Sequence, residues 1–232
     1  MMQKHPLFLV FTFFIQLNLY AQNIDVPLFR GSGGYLSYGL HFVDPSSFNE
    51  SLEQYSLPAF SSTPMSLSIG GGSFIKGFYL GGQATGQFGL SASNEYYQSH
   101  FYGGYGMLKV GYTLLKNSSL AFYPTLGVGG GGSLIPIRAG SFYTHDKEDL
   151  LLQPGGSLES SYMLLDLGIH FDFFISSGNT HGGRPIIGVT AGYQFHPLIS
   201  TWRYQDHTLY DLEEFAPSGI YLKVKVGWGL FL

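Results

Sequence analysis

The chain has 232 residues, of which 17% are aromatic and only 11% are charged, with 33 glycines, no cysteine and a net charge of −4. A soluble domain usually carries about twice that share of charged residues, so the composition is not that of an ordinary soluble protein. Lack of cysteine excludes disulfides, thiolate catalysis and cysteine-based metal sites, and the negative charge argues against nucleic acid as a partner.

The N-terminus predicts a cleaved signal peptide over residues 1–21. Lys4 supplies a positive charge, residues 7–15 form an apolar run, and Ala21 ends a plausible cleavage site. Gln16 interrupts the apolar run well short of the roughly 20 residues that a membrane-spanning helix needs, so an uncleaved anchor is disfavoured. We therefore expect the chain to be exported.

The mature chain predicts a short periplasmic leader over residues 22–32, followed by a single domain over residues 33–232. Within that domain, apolar residues alternate with polar or small ones at period two, which is typical of β-strands. Eight such segments occur in order: residues 34–43, 65–75, 78–90, 101–115, 120–132, 162–175, 186–196 and 219–232.

The connections between these strands alternate between long and short. Four are long, at residues 44–64, 91–99, 136–157 and 197–217, and the first of these can hold a helix over residues 48–55. An even number of strands with long loops at one end and short turns at the other is the pattern of outer-membrane barrels.

Charged residues separate between the two ends in the same way. Twelve of the 15 acidic residues lie in the long connections or the strand edges beside them. The three short turns carry cations and no acid: Lys76, Lys116 and Arg184. This asymmetry supports a barrel whose acidic loops face outward.

The last segment, residues 219–232, has a continuous apolar face and ends the chain. It resembles the C-terminal strand of Gram-negative outer-membrane β-barrels, although Phe231 is penultimate where those proteins most often end in Phe. The likeness extends over residues 33–232 to the small eight-stranded barrels of the OmpA-transmembrane and OmpX type. It implies a location in the outer membrane, contact with membrane lipid and lipopolysaccharide, and insertion by the barrel assembly machinery through Trp228, Leu230, Phe231 and Leu232.

The polar faces of eight strands should meet in a narrow lumen that side chains fill. Predicted inward charges must pair, because isolated buried charges are costly. The expected lumen network consists of Lys109, Asp166, His170, Asp172, Lys223, Lys225, Gln83 and Gln87. We expect a salt-bridged plug, with a proton or ion pathway as the alternative.

Catalytic and metal-binding motifs are weak. Candidate groups pair histidine with acid or serine in the loops and at the upper strand ends: His145 with Asp146, His207 with Asp206, His41, His196, and the acids Asp211, Glu213 and Glu214. None has the spacing of a hydrolase or of a calcium loop. We therefore assign no catalytic residue, metal or cofactor.

The sequence thus predicts a non-enzymatic outer-membrane barrel with a structural, adhesive or complex-forming role. Exposed aromatic residues amid charge are typical contact residues, and the last long loop offers Trp202, Tyr204, Tyr210 and Phe215 to an extracellular or envelope partner. Two alternatives remain. One is a barrel that binds or modifies lipid, and the other is a soluble periplasmic lipocalin-like barrel with its apolar face inside.

Overall fold

The protein is represented by a computed structural model that describes residues 30–60, 63–116, 119–140, 155–175, 183–205 and 207–231. The predicted signal peptide, most of the predicted leader, and the terminal Leu232 lie outside these residues.

Eight long strands form the fold, as the alternation predicts: β1 (Arg30–Val43), β2 (Met65–Ile75), β3 (Phe78–Ser93), β4 (Tyr97–Tyr112), β6 (Leu120–Ala139), β7 (Ser157–Phe174), β8 (Arg184–Ile199) and β11 (Gly219–Phe231). Short elements accompany them: α1 (Ser46–Gln54), β5 (Leu115–Lys116), β9 (Trp202–Tyr204) and β10 (His207–Leu209). Among the described residues, no helix is long and apolar enough to cross a membrane.

Each long strand pairs antiparallel with its neighbours in sequence, and β1 pairs with β11, so the sheet closes into a barrel. Starting at Tyr162 of β7, paired residues can be followed through all eight strands. The path returns to β7 at Asp172, ten residues further along. This stagger requires strands tilted by about 40° from the barrel axis and leaves a lumen that side chains fill.

The outer surface of the barrel is apolar and the lumen is polar. On β7, residues from Met163 to Phe173 alternate between exposed apolar side chains and buried ones that include Asp166 and His170. A closed barrel with an apolar belt satisfies its backbone hydrogen bonds internally, which membrane-spanning strands require. The protein is therefore a transmembrane β-barrel, and the lipocalin-like alternative, with an apolar interior, is wrong.

Five strands, β3, β4, β6, β7 and β8, are longer at the outer end than the sequence predicts. β3 reaches Ser93 and β4 begins at Tyr97, so the predicted loop 91–99 is reduced to residues 94–96. β6 continues to Ala139, so its run of four glycines lies in mid-strand. In these extensions most outward side chains are polar, at Ser91, Ser93, Gln98, Arg138 and Glu159, while Leu134 and Leu198 are apolar.

Most inward side chains near the outer ends of these strands are apolar and belong to a hydrophobic core outside the membrane belt. We call this unit the cap. It consists of the strand extensions, α1 with residues 55–60, and residues 200–217. Its buried core includes Phe48, Leu52, Leu57, Phe60, Leu90, Tyr97, Phe101, Ile135, Ile137, Leu158, Trp202, Leu212 and Phe215.

Inward-facing glycines make room for large side chains in the narrow lumen. A Cβ atom on Gly70 would lie 2.6 Å from the Cζ atom of Tyr35. A Cβ on Gly72 would lie equally close to the ring of Tyr79. These two glycines therefore leave space for the tyrosine rings, a role that glycine within strands commonly has.

Candidate functional site in the lumen and the cap

Two buried ion pairs lie at the centre of the lumen. The Nζ atom of Lys109 is 3.2 Å from Oδ1 of Asp166. The Nζ atom of Lys225 is 2.6 Å from Oδ1 of Asp172. All four side chains are almost completely buried, so each charge depends on its partner for compensation.

The Lys225–Asp172 pair is extended by hydrogen bonds. Tyr123 donates its hydroxyl to Oδ2 of Asp172 at 2.7 Å and accepts from Lys225 at 3.1 Å. The Nδ1 atom of His170 is 3.3 Å from Nζ of Lys225. An ammonium group can only donate, so Nδ1 accepts, and the neutral imidazole carries its proton on Nε2, which faces Thr125 Oγ1 at 3.1 Å.

Lys223 has no carboxylate within 4.0 Å among the described residues. Its ammonium donates to Tyr105 Oη at 3.2 Å and to Ser68 Oγ at 3.4 Å, and it lies 5.0 Å from the centre of the Tyr221 ring. Hydroxyl oxygens and aromatic faces are the neutral groups that stabilise a cation. Lys223 is thus held by dipoles and ring faces.

The two lumen glutamines of β3, Gln83 and Gln87, differ in their contacts. Gln83 donates to Thr85 Oγ1 at 2.8 Å and accepts from the Tyr35 hydroxyl at 3.1 Å. Gln87 is equally buried, yet neither atom of its amide has a protein partner. The structure thus brings seven of the eight predicted lumen residues into hydrogen-bonded or ion-paired contacts, and leaves Gln87 apart.

Aromatic stacking joins α1 to the last connection of the barrel. The Phe48 ring stacks on Phe215 at 4.8 Å and on Trp202 at 5.3 Å between centroids. The indole Nε1 of Trp202 donates to the carbonyl of Glu213 at 3.0 Å. These contacts fix the cap over the outer mouth of the lumen.

This arrangement corrects the prediction of an exposed aromatic partner loop. Trp202, Tyr204 and Phe215 are buried in the cap, and only Tyr210 is exposed, at 82%. The prediction placed these rings on a solvated loop, whereas the three buried ones pack with Phe48 of α1 in the core of the cap. The sequence offers one signal of this burial, the alternation of aromatic and charged residues at Trp202, Arg203 and Tyr204. In the structure the two aromatic side chains are buried and Arg203 is exposed.

The outer surfaces of α1 and the last connection form one acidic area. The backbone N–H of Glu213 donates to Ser51 Oγ at 3.2 Å, which joins the two segments. Burial and the nearby Asp211 carboxylate raise the pKa of Tyr55. We call this area the acidic face; its exposed members are Glu50, Glu53, Tyr210, Asp211, Glu213 and Glu214.

Asp44 connects β1 to α1. Its Oδ1 atom accepts hydrogen bonds from Ser46 Oγ at 2.6 Å and from the Ser46 backbone N–H at 3.1 Å. These two hydrogen bonds hold the pKa of the Asp44 carboxyl below its usual value. The ionised carboxylate thus fixes the chain as it enters α1.

Two histidines contact serines beneath the cap. His41 Nε2 is 3.2 Å from Ser66 Oγ, and His196 Nδ1 is 2.7 Å from Ser218 Oγ. Within the described part of the chain, no ion pair joins either histidine to a carboxylate. The predicted pair His145–Asp146 and the predicted residue Asp206 lie outside the described residues.

No group of three or more potential ligands could hold a metal ion in the portion that the structure describes. On β11, Trp228 and Leu230 point outward into the apolar belt. The side chains of Phe231 and Leu232 lie outside the described set.

Comparisons with known proteins give likenesses at the level of the fold. No protein-family model matches the chain, and no curated protein matches it. Among solved structures, Neisserial surface protein A is 9% identical with a TM-score of 0.48, covering 88% of this chain and 97% of that one. The attachment invasion locus protein Ail of Yersinia pestis, solved with the heparin analogue sucrose octasulfate, is 12% identical with a TM-score of 0.46, covering 88% and 99%.

A major outer membrane protein of Thermus thermophilus is 13% identical with a TM-score of 0.37, covering 87% of this chain and 99% of that one. Similarity at this level adds no detail of function. The closed sheet, its apolar belt and its polar lumen are themselves those of a small eight-stranded outer-membrane β-barrel.

Proposed function

We propose that the protein is a non-enzymatic outer-membrane barrel that binds a protein partner through its acidic face, in an adhesive or complex-forming role. The observation that supports this most is the joining of α1 and the last connection into one exposed acidic surface over a buried aromatic core. Charge complementarity makes a basic surface of an extracellular or envelope protein the expected partner.

The hydrophobic core beneath the acidic face favours binding. A surface held by its own hydrophobic core loses little conformational freedom on association, so less of the contact energy is offset by ordering. The exposed Tyr210 ring stands among the carboxylates and offers the amphipathic side chain that is enriched at protein interfaces.

The barrel below serves as the anchor in this proposal. Its apolar belt contacts outer-membrane lipid and lipopolysaccharide, and its closing strand β11 carries the outward Trp228 and Leu230 that the assembly machinery would engage. The ion-paired lumen argues against transport, because four of its charged groups, Lys109, Asp166, Asp172 and Lys225, are engaged in two ion pairs.

Site-specific photocrosslinking in intact cells tests the proposal. A photoreactive amino acid at Tyr210 should capture a basic protein, whereas the same group at Gln98, which is exposed on the outward wall of β4, should not. Glu214→Lys should remove the crosslink from position 210, and Glu159→Lys, the same charge change off the acidic face, should retain it. Equal crosslinking from both positions, or none, would contradict the proposal.

A further inference from the structure

A row of small and polar residues crosses the lumen wall directly beneath the cap. Its members are laterally paired on β7, β6, β4, β3 and β2: Ser160, Ser133, Gly103, Gln87 and Ser66. His41 of β1 continues the row through its contact with Ser66. We call this set the polar row.

The polar row contains hydrogen-bonding atoms that the protein does not satisfy. The hydroxyls of Ser133 and Ser160, both amide atoms of Gln87 and Nδ1 of His41 have no protein partner. These four residues are at most 9% exposed. The Gln87 amide lies over Gly103, because a Cβ atom on that glycine would be 2.7 Å from Oε1 of Gln87. Gly103 is paired with Ser133, so the amide extends along the row toward Ser133.

The row is enclosed from above and below. One inward position closer to the outer end, the same strands carry Leu90, Phe101, Ile135 and Leu158, which are fully buried in the cap core. On the other side lie Thr85, Tyr105 and Tyr162, which are also buried. Bulk solvent is therefore separated from the row by the cap.

Buried polar groups in native proteins are hydrogen-bonded to protein or to ordered water, because leaving them unmet is costly. The unmet atoms of the row include donors and acceptors and carry no charge, which suits water better than an ion. A buried water typically makes about three hydrogen bonds, so roughly two to four molecules would satisfy the row.

We propose that the polar row binds a cluster of ordered water molecules, sealed in the lumen between the cap and the ion pairs. The cluster hydrogen-bonds Gln87, Ser133 and Ser160 and reaches Nδ1 of His41. The water molecules supply hydrogen-bond partners that neither the apolar cap above the row nor the ion-paired network below it provides.

The two lumen glutamines of β3, Gln83 and Gln87, give a matched test by NMR of the folded protein in detergent micelles. Both lie inward on β3, but the Gln83 amide has protein partners and that of Gln87 has none. We expect cross-peaks between the water resonance and the Gln87 side-chain amide with the sign of long-lived water, and none for Gln83. Assignment through scalar couplings to the backbone needs no variant.

Ser133 provides a second, independent readout. Ser133→Val fills the space beside Gln87 with methyl groups and should abolish the Gln87–water cross-peaks, whereas Ser133→Ala leaves room and should keep them. Absence of water cross-peaks from Gln87 in the wild-type protein, or equal cross-peaks from Gln83 and Gln87, would overturn the proposal. So would their persistence in a folded Ser133→Val variant.

Discussion

At the scale of single residues, the alternation of side chains along each strand decides which of them face the lumen. Lys109, Asp166 and Lys225 were assigned to the lumen from alternation alone, and all three are buried there. Their partners do not follow from this alternation. Which side chains meet across the lumen depends on the register between strands, which is fixed only when β1 pairs with β11 and closes the barrel. Gln83 and Gln87 have the same parity, so the sequence alone does not show that only one of them has protein partners.

Removing one member of a buried ion pair should destabilise the barrel strongly. In Asp172→Asn, Lys225 would lose the carboxylate that compensates its charge, and Tyr123 would lose a charged hydrogen-bond acceptor. Breaking such a pair leaves an uncompensated charge and costs about 3–5 kcal/mol. We expect a corresponding loss in the free energy of unfolding, measured by urea titration in lipid vesicles.

The control replaces both partners. Asp172→Leu combined with Lys225→Met removes both charges of this pair, and it should be clearly more stable than Asp172→Asn. If the single and double variants unfold at the same urea concentration, the pair does not compensate charge as described.

Asp44 should make the cap sensitive to acid. Because its pKa is lowered in the folded protein, its stabilisation is complete above the usual carboxyl pKa of about 4 and is lost as the pH falls through the lower folded value. In a Trp228→Phe background, Trp202 is the only tryptophan and its fluorescence reports on the cap. Acid should loosen the cap, and Asp44→Ala should show a smaller change over the same pH range; superimposable pH profiles would contradict this role.

At the scale of elements, the environment of the two faces reverses along β3, β4, β6 and β7. Inside the membrane belt the apolar side chains face outward, as at Leu108, and above it they face inward, as at Phe101. The predicted strand ends lie where the outward apolar pattern stops. That position marks the edge of the lipid, and the strands continue as part of a cap with the opposite pattern.

The cap should unfold independently of the membrane barrel. Leu158→Ala opens a cavity in the cap, and large-to-small changes at fully buried sites cost about 2–5 kcal/mol. We expect Trp202 fluorescence to change at a lower urea concentration, while the barrel still shows a heat-dependent shift on gels. Leu167→Ala, on the lipid-facing side of the same strand, should leave the cap transition in place.

At the scale of the whole molecule, strand number, antiparallel order and the location of charge could be predicted from the sequence. They depend on local properties, namely the period of two within strands and the alternation of long and short connections between them. The cap did not follow, since it depends on α1 and the last connection meeting over the lumen through Phe48, Trp202 and Phe215. Aromatic residues in a loop look alike whether they face a partner or one another. The contact between two distant segments decided between these outcomes.

Two barriers in series should keep the barrel from conducting ions. The ion pairs of Lys109 and Lys225 fill the lumen, and the cap closes its outer mouth. We therefore expect no discrete conductance in planar bilayers, and none after the cap is weakened by Trp202→Ala with Phe215→Ala, because the plug below remains paired. Each preparation should first show the heat-dependent gel shift of a folded barrel. A stable single-channel conductance in the wild type would contradict the plug, and one that appears only in the cap variant would show that the cap alone closes the lumen.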